Sequence, residues 1–219
     1  MHKAETDWIV SRVAGIDTAA LSPMLNIGSS TLEFRTKKQP WIESNLIKPL
    51  EARGIKVVHA DLKSGPGIDI TADLTTEEGF KTLAAVGARS IMLCNVLEHV
   101  VDPKAFANRC LELVQPNGFA IVTVPHSYPY HRDPIDTMYR PTPEEAASLF
   151  DRTEIITRDI IDAGSYRDHV KARPWIISRQ IFRAPFPFLG FEKWKRSMAK
   201  LYWLVYPYQM TCVLLRKTG

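Results

Sequence analysis

Apolar positions along the first two thirds of the chain follow two rhythms. Short apolar runs, PMLNIG (23–28), IKVVHA (55–60), GIDITA (67–72), SIMLCN (90–95) and FAIVTV (119–124), predict strands. Between them, apolar residues recur at helical spacing. Trp41 to Arg53 has apolar positions at 42, 46, 47 and 50, with Gly54 as a stop signal. Thr75 to Val86 predicts a helix with Thr75 as cap and Glu77 and Glu78 in its first turn. Asp102 to Val114 predicts another, with Asp102 as cap and Pro103 at its first position. Pro116-Asn117-Gly118 marks a turn, and Pro141 to Phe150 predicts a helix capped by Thr142. Glu154 to Asp162 and Met210 to Arg216 predict two more strands. Strands alternating with helices indicate an α/β fold with a mainly parallel sheet, and nearly unbroken apolar strands indicate that both sheet faces are covered.

Ligands of such sheets sit beyond the carboxyl ends of the strands. The residues at those ends are therefore the candidates for chemistry. Strand one ends in Asn26, Gly28, Ser29 and Ser30; the glycine permits a tight turn and close backbone approach to a ligand. Strand two ends in Asp61, 33 residues after Gly28, a carboxylate able to accept from the two hydroxyls of a ribose. Strand three leads to Asp73 and Leu74, an acceptor beside an apolar wall, which suits an adenine amino group and ring. Strand four ends in Asn95 and Val96. Each has a plainer reading: Asp61 and Asp73 as solvated turn residues, Gly28 as a turn glycine, Asn95 as a helix cap and the nearby His99 as a packed histidine. The ordered row favours a nucleoside site. A nicotinamide enzyme would share the acid after strand two, but the G-x-G-x-x-G fingerprint is missing.

Residues ~20–160 resemble the class I S-adenosylmethionine-dependent methyltransferases, on the stretches LNIGSS, VVHADL, DITADL, IMLCNVLEHVVDP and LVQPNGFAIVTVP. The resemblance implies a Rossmann-like, doubly wound, seven-stranded, mostly parallel sheet of order 3-2-1-4-5-7-6 with a reversed last hairpin. It implies S-adenosyl-L-methionine as cofactor, its methionine part facing Asn26, Gly28, Ser29 and Ser30, its ribose on Asp61, and its adenine on Asp73 and Leu74 beside Asn95 and Val96. Two departures stand out. The acid usual two residues before the first glycine is Asn26 here, and the usual second and third glycines fall on Ser30 and Leu32. Glu98 and His99 are expected to begin the helix that frames the substrate mouth. Some related oxygen-methylating enzymes carry Glu-x-x-Glu-His at this place and bind a divalent metal; the chain reads Asn95-x-x-Glu98-His99, one ligand short, and no metal is expected.

The loop after strand five, VPHSYPYHRDPIDTMYRPTPEE, holds His126, His131, Asp133 and Asp136 and is stiffened by prolines at 125, 129, 134 and 141. It leaves the ligand edge of the sheet. His126 or His131 is the candidate general base for an oxygen acceptor, with Asp133 or Asp136 orienting it. A rigid surface loop whose polar groups bond one another is the plainer reading. His-x-Asp-x-x-Asp (131–136) also has metal-ligand chemistry, a weak signal without further fixed ligands.

Charge divides the 219 residues into unlike parts. Residues 1–163 hold 17 Lys+Arg against 22 Asp+Glu, net −5; residues 164–219 hold 11 against 2, net +9, which gives the overall +4. The second part also carries 11 of the 21 aromatic residues. We therefore divide the chain into a methyltransferase-like core (1–163), a basic aromatic insertion (164–209) and the last strand of the core sheet (210–219). The insertion reads as an acceptor lid, a membrane-surface element, a homodimer interface or plain packing; nucleic-acid binding finds no recognised motif. Cys94, Cys110 and Cys212 are widely spaced, which suggests reduced thiols in a cytoplasmic setting. The start shows no apolar stretch behind a basic region, so no secretory leader is expected. Leu201 to Leu215, the longest uncharged apolar run, is shorter than the ~20 residues of a spanning helix. The expected activity is methyl transfer to a small-molecule or glycan acceptor, more on oxygen than on carbon or nitrogen. The rival is a non-catalytic relative acting as a membrane-associated or scaffolding partner.

Overall fold

A computed structural model describes the backbone of every residue except 132–134, 184, 187 and 189, and, of those described, all side chains except 169, 179–181, 183, 193 and 196. Asp133 lies outside the described residues. Seven strands make one sheet: β1 (Met24–Ile27), β2 (Val57–Asp61), β3 (Ile70–Thr71), β4 (Ser90–Cys94), β5 (Phe119–Ser127), β6 (Thr153–Asp162) and β7 (Gln209–Lys217). Their order is β3-β2-β1-β4-β5-β7-β6. The first five run parallel, while β7 is antiparallel to both β5 and β6. This is the sheet that the family resemblance implied, reversed last hairpin included.

Alternate residues of the central strands feed two cores. Leu25, Ile27, Val58, Ile91, Leu93 and Val122 pack on one face, against α5 (Glu77–Ala84), α6 (Pro103–Glu112) and α7 (Pro143–Ala147). Met24, Val57, Met92, Phe119 and Ile121 pack on the other, against α1 (Lys3–Val13), α2 (Thr18–Leu21) and the helical stretch holding α3 (Pro40–Ile42) and α4 (Lys48–Ala52). The period-2 side-chain alternation of a strand buried on both faces produces this three-layer arrangement.

Several boundaries differ from expectation. Trp41 to Arg53 is not one α-helix: a π-turn, Glu43–Ile47, separates α3 from α4. Pro49 lacks the amide hydrogen that an uninterrupted α-helix would donate to the Asn45 carbonyl, which loosens the ladder here. The cap of α5 is Thr76, whose hydroxyl accepts from Gly79 N–H at 3.0 Å, and not Thr75. Thr75 is already engaged, its amide and hydroxyl both donating to Asp73 Oδ1. Glu98 and His99 do not open α6; they sit in a separate 3₁₀ turn, Leu97–His99. The Asp102-Pro103 pair forces α6 to start afresh, since a residue before proline avoids the helical region. Asp102 and Thr142 cap α6 and α7 as expected.

The insertion leaves β6 and returns as β7, carrying α8 (Tyr166–Ala172), α9 (Trp175–Arg183) and α10 (Phe191–Tyr202). All three cysteines are free. Among the described residues, no helix is long and apolar enough to cross a membrane.

Candidate active site

The row predicted from the strand tips exists. Asn26, Gly28, Ser29, Ser30, Asp61, Asp73, Leu74, Asn95 and Val96 all line one cavity of about 1320 Å³. That volume exceeds the 300–1,000 Å³ typical of single small ligands, so there is room for a nucleoside and a second molecule.

The loop after β1 is built for close approach. Gly28 has φ +73°, and a Cβ there would stand 2.7 Å from Val96 Cγ2. Its N–H donates to Ala60 O at 2.9 Å, as does that of Ser29 at 3.1 Å. Ser30 takes a left-handed φ of 56° where the resembled family carries glycine. Two groups hold it there. Asp61 Oδ2 accepts its N–H at 2.8 Å, and the buried Arg35 guanidinium donates to the carbonyls of Ser30 (2.6 Å), Ser29 (3.3 Å) and Gly67 (2.8 Å). Arg35 is 2% exposed and 3.7 Å from Glu43. Sequence reasoning missed it because buried arginines are rare; the loop carbonyls and one carboxylate are what offset its desolvation.

Asp61, at the end of β2, also accepts Lys63 N–H at 3.0 Å. Each of its oxygens keeps a second lone pair, which fits the two hydroxyls of a ribose. Asp73 is held low in pKa by its bonds from Thr75 and so is ionised, beside the buried Leu74. Asn26 is committed on one side: its amide nitrogen donates to His59 Nδ1 at 3.2 Å, leaving its carbonyl oxygen to meet a ligand. Burial, reinforced by the Arg35 charge, pushes His59 down to about 4, so the ring is neutral and its Nδ1 accepts.

Asn95 turns out to be tethered from an unexpected side. It adopts a left-handed φ of 55°, which asparagine tolerates better than most residues. Its Nδ2 donates to Glu5 Oε1 at 2.9 Å, and Thr123 Oγ1 donates to the same oxygen at 2.6 Å. Glu5 is fully buried on α1. The sequence reading contained no helix at 3–13, although Thr6, Ile9 and Val13 lie on one helical face there.

Glu98, His99, Tyr128 and His131 also line the cavity wall. His126 does not: its Nδ1 donates to Pro141 O at 3.0 Å, away from the cavity. Of the two candidate bases, His131 therefore reaches the site. Asp136 lies beside it: its Oδ2 is 3.2 Å from His131 Nδ1 without a hydrogen bond to the ring, and accepts the His131 backbone N–H at 3.1 Å. Burial would raise Asp136, but bonds from Arg140 (2.7 Å) and two backbone amides bring it down to about 2. Burial lowers His131 against the opposing pull of Asp136, so its ring is available to take a proton. Tyr208, just before β7, packs against Tyr128 with the rings tilted at 55° and their centroids 4.9 Å apart.

Comparison with known proteins was informative at the level of structure. A coclaurine N-methyltransferase bound to N-methylheliamine and S-adenosylhomocysteine matches with a TM-score of 0.58 at 14% identity, covering 98% of this chain and 72% of that one. A putative sarcosine dimethylglycine methyltransferase from Galdieria sulphuraria matches at 0.49 and 14%, over 98% and 86% of the two chains. An S-adenosylmethionine-dependent methyltransferase from Mesorhizobium loti matches at 0.48 and 14%, over 97% and 98%. No protein-family model and no curated protein matches the sequence. Sheet order, strand-tip cavity and the match to the coclaurine N-methyltransferase converge: the chain has the class I S-adenosylmethionine-dependent methyltransferase-like fold.

Proposed function

We propose that the protein uses S-adenosyl-L-methionine to methylate a hydroxyl of a small-molecule or glycan acceptor. The observation that carries this reading is the single cavity on which Gly28, Asp61, Leu74 and Val96 converge from four different strand ends. The bound cofactor supplies a methyl group on a sulfonium, a good leaving group. The chain's own residues then have to align two reactants and remove one proton. Asp61 holds the ribose hydroxyls, and Asp73 and Leu74 hold the adenine. The Gly28 turn lets the backbone reach the methionine part. Oxygen is favoured over nitrogen because His131, beside Asp136 in the cavity wall, offers a neutral imidazole able to take the hydroxyl proton. A crystal soaked with S-adenosylhomocysteine tests the reading. Nucleoside density across Asp61 and Leu74 supports it; a ligand bound elsewhere, or none at saturating concentration, removes it.

The insertion supports a second proposal, peripheral contact with anionic lipid while the core works on its acceptor. Trp175, Phe182, Phe188, Phe191 and Tyr202 are exposed to between 52% and 78% on a strongly basic segment. Large rings among Lys and Arg suit a membrane surface. Co-sedimentation with anionic vesicles should fall when Trp175, Phe182 and Phe188 are changed to Ser; unchanged pelleting would remove this proposal.

A further inference from the structure

One buried carboxylate in the cavity wall lacks hydrogen bonds. Glu98 is fully buried, and neither of its carboxylate oxygens receives a hydrogen bond from the described residues. A carboxyl group in that state is costly unless protonated or paired with a cation. Two imidazoles face it. His99 Nδ1 contacts the Ile135 carbonyl, and a carbonyl only accepts, so this nitrogen carries the proton. The lone pair of a neutral His99 ring is then on Nε2, 3.8 Å from Glu98 Oε1. His131 comes from the loop after β5 and packs edge-on against His99, centroids 5.3 Å apart. One ligand atom from each of Glu98, His99 and His131 lies within 4.8 Å of the others.

We propose that Glu98, His99 and His131 bind one divalent transition-metal ion in the cavity wall. Donor chemistry selects the ion class. Two imidazoles and one carboxylate suit Zn²⁺, Co²⁺, Mn²⁺ or Fe²⁺ better than Ca²⁺ or Mg²⁺, which take oxygen ligands. Ligand atoms in a tetrahedral site with bonds of ~2.1 Å stand about 3.4 Å apart, against separations within 4.8 Å here. With three protein ligands, the remaining positions open to the cavity. The metal's role in the reaction rests on the proposed methyl transfer: an acceptor hydroxyl on the ion would lose its proton more easily, and His131 would then serve as ligand in place of base. Binding itself does not depend on that reading.

Cobalt is the probe, because its visible absorption reports imidazole and carboxylate ligation. Titration of the full-length protein, free of any histidine tag, with Co²⁺ near pH 8 should saturate at one equivalent with a visible band. Glu98→Gln, nearly isosteric and uncharged, and His131→Ala should each weaken uptake by about tenfold or more, with thermal melting confirming that both variants fold. S-adenosylhomocysteine binding is measured on the same samples. No cobalt band at millimolar Co²⁺, or uptake that both variants leave unaltered, overturns the metal site. If cobalt fails while S-adenosylhomocysteine still binds, the metal proposal falls and the cofactor reading stands.

Discussion

The Gly28 turn offers a quantitative test of how the site is made. An L-residue with φ near +73° costs roughly 1–2 kcal/mol in backbone strain. In Gly28→Ala the new methyl also lies 2.7 Å from Val96 Cγ2, well inside contact distance. Forcing a methyl into a packed position typically costs about 1–3 kcal/mol. The sum is about 2–5 kcal/mol, or a melting point lower by roughly 4–20 °C for a chain of this size. The two terms separate in a double-mutant cycle. In Val96→Ala both γ-methyls are gone, and the next atom of residue 96 near the added Cβ is its own Cβ at 3.9 Å, an ordinary contact. The pair Gly28→Ala with Val96→Ala should therefore recover the steric part and retain the backbone part, a coupling of about 1–3 kcal/mol. Chemical denaturation of the four proteins measures it. A Gly28→Ala cost under about 0.5 kcal/mol, or additive single effects, would refute the assigned turn geometry.

Three further outcomes follow from the interior polar groups. Arg35→Met keeps most of the volume but strips the carbonyls of Ser29, Ser30 and Gly67 of their donor and should cost about 3–5 kcal/mol in urea unfolding. Glu5→Ala leaves the Asn95 amide and Thr123 hydroxyl without their acceptor and should cost about 2–4 kcal/mol, whereas Glu5→Gln, which still offers an oxygen, should cost less. His59 has its folded pKa depressed to about 4 from 6.5, so the unfolded chain binds the extra proton first as pH falls. Its contribution is complete above pH 6.5 and lost on descent toward 4; between pH 7 and 4.5 wild type should lose about 2.5 kcal/mol more than His59→Gln. Parallel stability profiles for the two proteins would contradict that.

How much of this was legible beforehand depended on whether the determinant was local. The strands of a doubly covered sheet are apolar runs, and the polar residues at their tips announced themselves by position, so Gly28, Asp61, Asp73 and Asn95 could be placed on one rim without coordinates. Caps at Asp102 and Thr142 rest on residues a few positions apart and were equally plain. Glu5 was hidden because a buried carboxylate looks like any other charged residue of a polar N-terminal helix until its partners, 90 and 118 residues away, are known. Arg35 escaped for the same reason: its function is to bind carbonyls of a neighbouring loop, which no side-chain pattern encodes. The choice between His126 and His131 needed the course of a proline-stiffened loop. So did the meeting of His131 with Glu98 and His99.

The central claim is that four strand ends of this chain form one nucleoside site. Isothermal titration of wild type and Asp61→Ala with S-adenosylhomocysteine addresses it directly. The account predicts one site per chain with micromolar affinity in wild type, and a loss of about 100-fold when the carboxylate that receives the ribose is removed. No heat at millimolar ligand, or equal affinity in the two proteins, would contradict it.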